Sequence, residues 1–230
     1  MSKPLRLAAV LAAAALSLAA PMLAAAKPAA ARAPAAPTQL DRFLRHLHTL
    51  RVSFRQTLVG AHGGVISRSA GTLIVDRPGK FRWQSRPLGA NGAPTGAGQL
   101  MVGDGRNVWF YDRDLQQVTV QPVTAALSAT PAMLLSGTVD VRRHFKERPA
   151  GRREGLSWVF VEPRNASAAD FRRALFGFRR GTLERMILDD TLGQIATVVF
   201  THIEVNVPVS AKLLTFTAPP GVDVIGTPAK

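Results

Sequence analysis

The sequence predicts an α+β fold in which one large antiparallel sheet curls on itself and the helices are few and short. Stretches with the two-residue period of strands follow one another closely, and Gly, Asp and Pro turn signals separate them. About ten or eleven strands are predicted, and a twisted sheet of that size has to curl. Several stretches, such as 73–75 and 158–161, are apolar on both faces.

The first 37 residues are predicted to be removed or extended rather than folded. Lys3 and Arg6 precede an apolar run at 7–23, and Ala24 to Ala26 end it with small residues, as in a secretory signal peptide. An uncleaved membrane anchor is the alternative, but the run is Ala-rich and only weakly hydrophobic. We expect a signal peptide at 1–26 with cleavage after Ala26, a Pro/Ala tether at 27–37, and a periplasmic product.

A helix is predicted to open the folded domain. Thr38 is its expected N-cap, and Asp41 occupies the third helical position. One apolar stripe then recurs at helical spacing and carries the predicted helix to Leu50. The stripe consists of Leu40, Phe43, Leu44, Leu47 and Leu50.

From Val52 the period changes to two and predicts the first strand. Residues 88–98 (LGANGAPTGAG) predict an exposed, flexible loop because they have nothing to bury. The folded domain is predicted to span 38–225 and to leave a short tail at 226–230. The later strands are predicted at 65–76, 80–85, 99–102, 107–111, 116–121, 156–162, 171–178, 183–188, 194–207 and 213–217.

Residues 122–137 (PVTAALSATPAMLLSG) interrupt the strand pattern and predict two short helices, at 124–127 and 131–135. Thr130 is placed as an N-cap, Pro131 as the first helical residue and Gly137 as the stop. Together with the strands that are apolar on both faces, these helices leave two interpretations. They complete an ordinary core, or they form a lid over a cavity for an apolar ligand.

Several kinds of chemistry are not expected. The chain has no cysteine, which excludes disulfides, a thiolate nucleophile, Cys-bound metals and a lipidated Cys anchor. It carries no G-x-S-x-G, P-loop, G-x-G-x-x-G or H-E-x-x-H motif, so we expect no enzyme activity, cofactor or metal. The net charge of +14 favours either a solvated basic surface or contact with anionic phospholipid or an acidic partner. Nucleic acid is not an expected partner of an exported chain.

Six blocks of sequence, in order along the chain, resemble the periplasmic outer-membrane lipoprotein carrier family of the Lol pathway. The first block, DRPGKFRW at 76–83, has the R-P-x-x-F-x-W form that is typical of that family. The resemblance implies a half-open antiparallel β-barrel with an N-terminal helix and short lid helices. The other blocks are LMVGDGRNVWFYD at 100–112, QVTV at 117–120, TPAMLLSG at 130–137, LDDTLGQ at 188–194 and FTAPPGVDVI at 216–225.

The resemblance also implies a function and roles for individual residues. A carrier of this family is a monomeric chaperone that takes acylated lipoproteins from an inner-membrane ABC-type exporter and delivers them to an outer-membrane receptor. Arg77 matches the family's arginine that locks the lid, and the alternative is an exposed hairpin arginine. Phe81 matches the family's aromatic residue that acts in handover from the exporter, and the alternative is a strand core residue. The expected cavity and lid residues, for which core packing is the alternative, are Trp83, Trp109, Leu127, Met133, Leu134 and Leu135.

The sequence bears on two other functions besides that of the carrier. The outer-membrane receptor of the pathway is itself a lipoprotein, and a chain without cysteine cannot be acylated in that way. A periplasmic module that senses lipid or lipoprotein on the same half-barrel is the alternative from a different functional class. It would be expected to need a signalling domain, and none is apparent in 38–225.

Overall fold

One curled sheet of twelve strands frames the part of the chain that the computed structural model describes, which is residues 36–123, 131–138, 140–166, 169 and 171–229. The predicted signal peptide, nearly all of the predicted tether, Leu127 and the predicted helix at 124–127 lie outside these residues. None of the helices in the described ranges has the length and apolar composition of a membrane-spanning segment.

The elements follow the chain in a meander. Helix α1 (Gln39–His46) precedes the first six strands, α2 (Pro131–Ser136) and α3 (Val141–His144) follow them, and a 3-10 turn (Ala211–Leu214) precedes the last strand. The strands are β1 (Thr49–Val59), β2 (Val65–Asp76), β3 (Lys80–Pro87), β4 (Gln99–Asp104), β5 (Asn107–Asp112), β6 (Gln117–Pro122), β7 (Phe145–Arg153), β8 (Leu156–Pro163), β9 (Phe171–Arg179), β10 (Thr182–Asp190), β11 (Ile195–Val205) and β12 (Asp223–Ile225).

The strand order leaves the sheet open. It runs β12-β6-β5-β4-β3-β2-β1-β11-β10-β9-β8-β7, and every neighbouring pair is antiparallel except β12 and β6, which are parallel. Strands β7 and β12 are therefore the two edges of an unclosed barrel. The predicted fold class, an α+β half-open antiparallel β-barrel with an N-terminal helix, is confirmed.

Helix α1 begins as predicted but ends earlier. The Thr38 side chain accepts a hydrogen bond from the Asp41 amide at 3.1 Å, which is the expected N-cap. The helix stops at His46, and β1 already pairs with β2 at Thr49. Leu50 belongs to the strand because it alternates with Val52 and points, like that residue, into the core.

The main core lies between the helices and the face of the sheet that they cover, which is called the inner face here. Large side chains from most strands fill it, and α1 and α2 add their apolar sides. Phe43 of α1 meets Phe178 of β9 edge to face, with the ring centroids 5.7 Å apart. The inner face of the sheet and the helices that cover it therefore share one apolar layer.

A second, smaller apolar cluster lies on the opposite, outer face of the sheet. Leu100, Val102, Tyr111 and Val118 form it, and the chain after β11 covers it with Phe216. The strand predicted at 213–217 is therefore wrong: Ala211–Leu214 forms a 3-10 turn. The apolar alternation at 213–217 arises because side chains of this segment pack against the outer face.

Two strands were not predicted. Strand β7 has the sequence FKERPAGRR, which is mostly charged and contains a proline, so it lacks the alternation of a half-buried strand. Strand β12 has only three residues, all exposed. Both are edge strands, where charge, proline and short length are common because they discourage pairing with other chains.

Candidate functional site

Helix α2 closes the inner face over strands β2 and β3, and its sequence explains its short length. Pro131 is its first residue, and Gly137 follows its last. Gly137 has a φ of +74°, the left-handed conformation that favours glycine at a helix C-terminus. Met133, Leu134 and Leu135 are each at most 1% exposed, so the helix turns its apolar side fully into the core.

The turn between β2 and β3 holds the end of α2. The Arg77 Nη1 atom donates to the Leu135 carbonyl at 2.9 Å, and the Gly79 amide donates to the Ser136 carbonyl at 2.8 Å. These carbonyls belong to the last turn of the helix and have no partner within it. A cation at this end also interacts favourably with the helix dipole. The structure therefore brings Arg77 and α2 together.

Arg77 is half-buried, and its surroundings are shaped to fit it. Burial lowers the pKa of its guanidinium, which stays protonated at physiological pH because arginine titrates so high. A methyl group added at Gly137 would lie 2.8 Å from Arg77 Nη2. Gly137 thus ends α2 and also leaves room for the guanidinium, and only the first of these roles was predicted. The Arg77 amide donates to the His48 carbonyl at 2.8 Å, which links the turn to the start of β1.

Phe81 lies on β3, directly below this turn, and is 0% exposed. Its ring covers Gly103 of β4 so closely that a Cβ on that glycine would lie 2.4 Å from Phe81 Cε1. The backbone of β4 is therefore one wall of the Phe81 site. In this closed arrangement, Phe81 touches no solvent.

Trp83 lies two residues further along β3 on the same inner face. Its ring stacks on Phe54 with the centroids 4.0 Å apart and an angle of 30° between the planes. It also lines a cleft of about 340 Å³ among β1, β2 and β3, toward the ends of these strands that lie away from α2. Trp83 is partly buried, so it contributes to both the core and the wall of a cleft.

Trp109 lies on the other side of the sheet. Its register partner on β4 is Val102, whereas the partner of Trp83 is Met101, so the two tryptophans face opposite sides. The Trp109 Nε1 atom donates to Asp104 Oδ2 at 2.8 Å, and its ring lies 5.6 Å from that of Phe216. The structure does not bring Trp109 together with the other predicted cavity residues. Strand alternation was the signal that separates them, because Trp109 follows the inward-facing Val108 directly.

A second cleft, of about 550 Å³, opens where α1, α3 and the β2–β3 turn meet. Its apolar lining is Leu44, Leu47 and Val141, and Arg77 lies on one wall. The remaining lining residues are Asp41, Arg45, His48, Pro78, Gly137, Asp140, Arg142 and Glu147. The cleft thus leads from solvent to the hydrogen bonds that hold α2.

Polar contacts at this cleft tie α1 to α3 and β7, and they were not predicted. Arg142 binds Asp41 with both ends of its fork, at 2.6 Å for Nε–Oδ1 and 2.5 Å for Nη2–Oδ2. Thr38 donates to the Glu147 carboxylate. The partners are more than 100 residues apart, and each alone has the pattern of an ordinary surface residue. The hydrogen bond with Arg142 is the main cause that lowers the pKa of Asp41, whereas burial raises the pKa of Glu147.

The described residues hold no group of three or more His, Asp or Glu side chains that could bind a metal ion. What the arrangement offers is an apolar inner face under a short helix, whose last turn receives hydrogen bonds from the β2–β3 turn. An apolar chain could occupy this face only if α2 moved, because side chains fill it in the closed state.

Comparison with known proteins places these features in a family. Residues 45–217 match the family described as "Outer membrane lipoprotein carrier protein LolA". An outer-membrane lipoprotein carrier protein from Dechloromonas aromatica is 38% identical over 192 residues, which are 83% of this chain and 88% of that protein. Another from Nitrosomonas europaea is 37% identical over 193 residues, covering 83% and 89%. A solved LolA superfamily protein from Nitrosomonas europaea overlaps 77% of this chain and 96% of its own, with 11% identity and a TM-score of 0.44.

Proposed function

The chain belongs to the LolA family of outer-membrane lipoprotein carriers, and we propose that it carries acylated lipoproteins through the periplasm. In this proposal it takes them from an inner-membrane ABC-type exporter, shields their acyl chains and hands them to an outer-membrane receptor. The need for a carrier is physical, because each acyl CH₂ that leaves the bilayer costs about 0.8 kcal/mol. A multiply acylated protein therefore does not cross water unescorted.

The observation that carries this proposal is the way α2 covers the inner face. Three consecutive apolar side chains of α2 lie in the core, and the β2–β3 turn holds the last turn of the helix through two hydrogen bonds. We assign Arg77 the role of lock. When its bond to the Leu135 carbonyl breaks, α2 is free to swing away and expose an apolar surface. Acyl chains then replace the side chains of α2 against the sheet.

The acyl-chain surface in this proposal comprises Trp83 on the sheet and Met133, Leu134 and Leu135 on the lid. Trp109 is left out because it lies on the outer face. Leu127 remains a prediction from the sequence. Trp83 also borders the 340 Å³ cleft, so the proposed acyl-chain surface extends from α2 toward the far ends of β1, β2 and β3.

Phe81 is proposed to act at handover from the exporter, but only after the lid has opened. It is fully buried while α2 is closed, so an exporter contact with its ring has to follow opening. In this order, opening of α2 controls the handover, because a carrier with α2 closed hides the residue that the exporter would contact. The names of the relatives describe carriers, and the sensing alternative gains no support from them.

The proposal is tested by depletion and by isolation of the loaded protein. Depleting the chain from its cell should leave lipoproteins in the inner membrane, and protein purified from the periplasm should carry acylated lipoprotein. N-terminal sequencing of that protein should begin at Lys27 if the signal peptide is cleaved after Ala26. Normal lipoprotein sorting in depleted cells would overturn the proposal.

A further inference from the structure

Exposed aliphatic side chains gather at one end of the sheet, at the tips of two neighbouring hairpins. The β1–β2 and β10–β11 turns touch, since a methyl group added at Gly193 would lie 3.2 Å from Ala61 Cβ. Val59 of β1 pairs with both Val65 and Ile195, which continues the apolar surface across three strands. Five of the ten large apolar side chains that are exposed in the described ranges lie here: Val65, Ile66, Leu192, Ile195 and Val199.

Arginines border this apolar end on the outer face. Arg55 and Arg86 lie on either side of Ala70 in one cross-strand row, and Arg68 is the register partner of Thr57 in the next. Neighbouring strands are about 4.8 Å apart, so Arg55 and Arg86 start roughly 10 Å from each other. All three are exposed, and their side chains make neither an ion pair nor a hydrogen bond within the part of the chain that the structure describes.

The aspartates closest to the tips are already engaged. Asp189 lies between Arg172 and Arg173, at 3.0 and 2.7 Å. Asp190 Oδ1 accepts the amides of Leu192 and Gln194, both at 2.8 Å, and so shapes the β10–β11 turn. Asp114 lines the 340 Å³ cleft together with Arg68, and its carboxylate accepts the amides of Ala97 and Gly98 at 2.9 and 3.2 Å. In the described ranges, none of these three carboxylates forms an ion pair with Arg55, Arg68 or Arg86.

We propose that this tip surface, defined as Arg55, Arg68, Arg86, Ile66, Leu192 and Ile195, binds the headgroup region of an anionic phospholipid bilayer. Aliphatic side chains at protruding turns suit the boundary between headgroups and acyl chains, and arginines beside them suit lipid phosphates. The arginines are spread over three strands with small residues between them. That spacing fits a field of movable headgroups better than a fixed acidic peptide, which would need a groove. Contact through so few groups is weak and reversible.

The charge of the surface is tested with protein purified from the periplasm of cells that express the full sequence. Co-sedimentation compares vesicles of phosphatidylglycerol and phosphatidylethanolamine with vesicles of phosphatidylcholine. The triple variant R55Q/R68Q/R86Q should lose roughly 100-fold in partitioning to the anionic vesicles. The matched control R106Q/R164Q/R180Q removes the same charge from exposed arginines elsewhere and should keep most of the binding.

Two further variants separate a bilayer from other anions. R55K/R68K/R86K keeps the charge and should still bind, because headgroups do not require the arginine fork. I66S/L192S should lose the binding that persists at high salt. The proposal is overturned if the wild-type protein ignores anionic vesicles or if both glutamine triples lose binding equally. It is also overturned if the same arginines capture polyglutamate but not vesicles, which would indicate an acidic protein partner.

Discussion

Arg77 connects the sheet to the lid through a single side chain. Its Nη1 atom reaches the Leu135 carbonyl at 2.9 Å, and its amide holds the chain that enters β1. A hydrogen bond from a charged group to a partly buried carbonyl contributes about 1.5–3 kcal/mol. We therefore expect Arg77→Leu to lower the free energy of unfolding by about 1–2 kcal/mol in urea denaturation, since the partly exposed end of α2 recovers some bonds to water.

The same substitution separates a lock from a purely structural arginine. In Arg77→Leu, hydrogen exchange should quicken at the amides of α2 while the strands β8–β10 keep their protection. Arg42 provides a control, because it is an exposed arginine that donates to the Pro37 carbonyl and lies away from α2. Lipoprotein transfer at the wild-type rate by Arg77→Leu, with α2 protection unchanged, would remove Arg77 from the mechanism.

Gly103 determines how Phe81 packs. A Cβ at this position would lie 2.4 Å from the Phe81 ring, so Gly103→Ala forces the ring or the strand to shift. Overpacking of this kind costs about 1–3 kcal/mol. The change should appear as a lower urea midpoint with an unchanged slope. Gly64→Ala is the control, since a Cβ there meets nothing within 4 Å. Equal stability of the two variants would show that the Phe81 site is loosely packed.

At the scale of elements, we expect the contact between α1 and α3 to depend on pH. The Arg142 hydrogen bond lowers the pKa of Asp41 below its ordinary value. A carboxyl with a lowered pKa in the folded state stabilises the protein above its unfolded pKa, and this contribution is lost as pH falls through the folded pKa. Asp41→Asn should therefore unfold at lower urea than the wild type at neutral pH, and the two midpoints should converge in acid.

Glu147 is the other carboxyl at this contact, and it responds in the opposite direction. Burial raises its pKa, so its protonation favours the folded state as pH falls. It is present in both proteins, but the charge of Asp41 adds to the rise of its pKa, so the difference between wild type and Asp41→Asn reports Asp41 together with its effect on Glu147. Urea titrations run from neutral pH to well below the unfolded pKa of Asp, about 3.9, because the loss begins there and continues through the lower folded pKa. A difference that stays constant with pH would show that Arg142 does not hold Asp41 in solution.

At the scale of the whole molecule, the sheet could be predicted from local pattern, but the parts that complete it could not. Ten of the twelve strands follow predicted stretches because alternation and turn residues are local signals. Strand β7 was missed because its charged, proline-containing sequence suits an edge position, and edges are set by topology. The segment after β11 has the alternation of a strand because Leu214 is buried and Phe216, two residues later, packs against the outer face of the sheet.

In the candidate site, too, some residues could be predicted from local sequence pattern and others could not. Arg77, Gly137 and the apolar residues of α2 were predicted because short motifs contain them. The tie between Asp41 and Arg142 joins residues 101 positions apart, and no local pattern indicates it. Trp109 was expected beside Trp83 as a cavity residue. Strand parity separates the two, and it becomes decisive only when the register between β3, β4 and β5 is known.

The open sheet exposes strand β7 to pairing with other chains, and its sequence opposes this. Arg148 and Arg152 place charge along the edge, and Pro149 has no N–H to offer a further strand. We therefore expect R148T/P149T/R152T to self-associate as concentration rises, while the wild-type protein stays monomeric in sedimentation velocity. Arg164→Thr, an exposed change outside the strand, serves as control. A triple variant that stays monomeric at every concentration would show that something other than this sequence protects the edge.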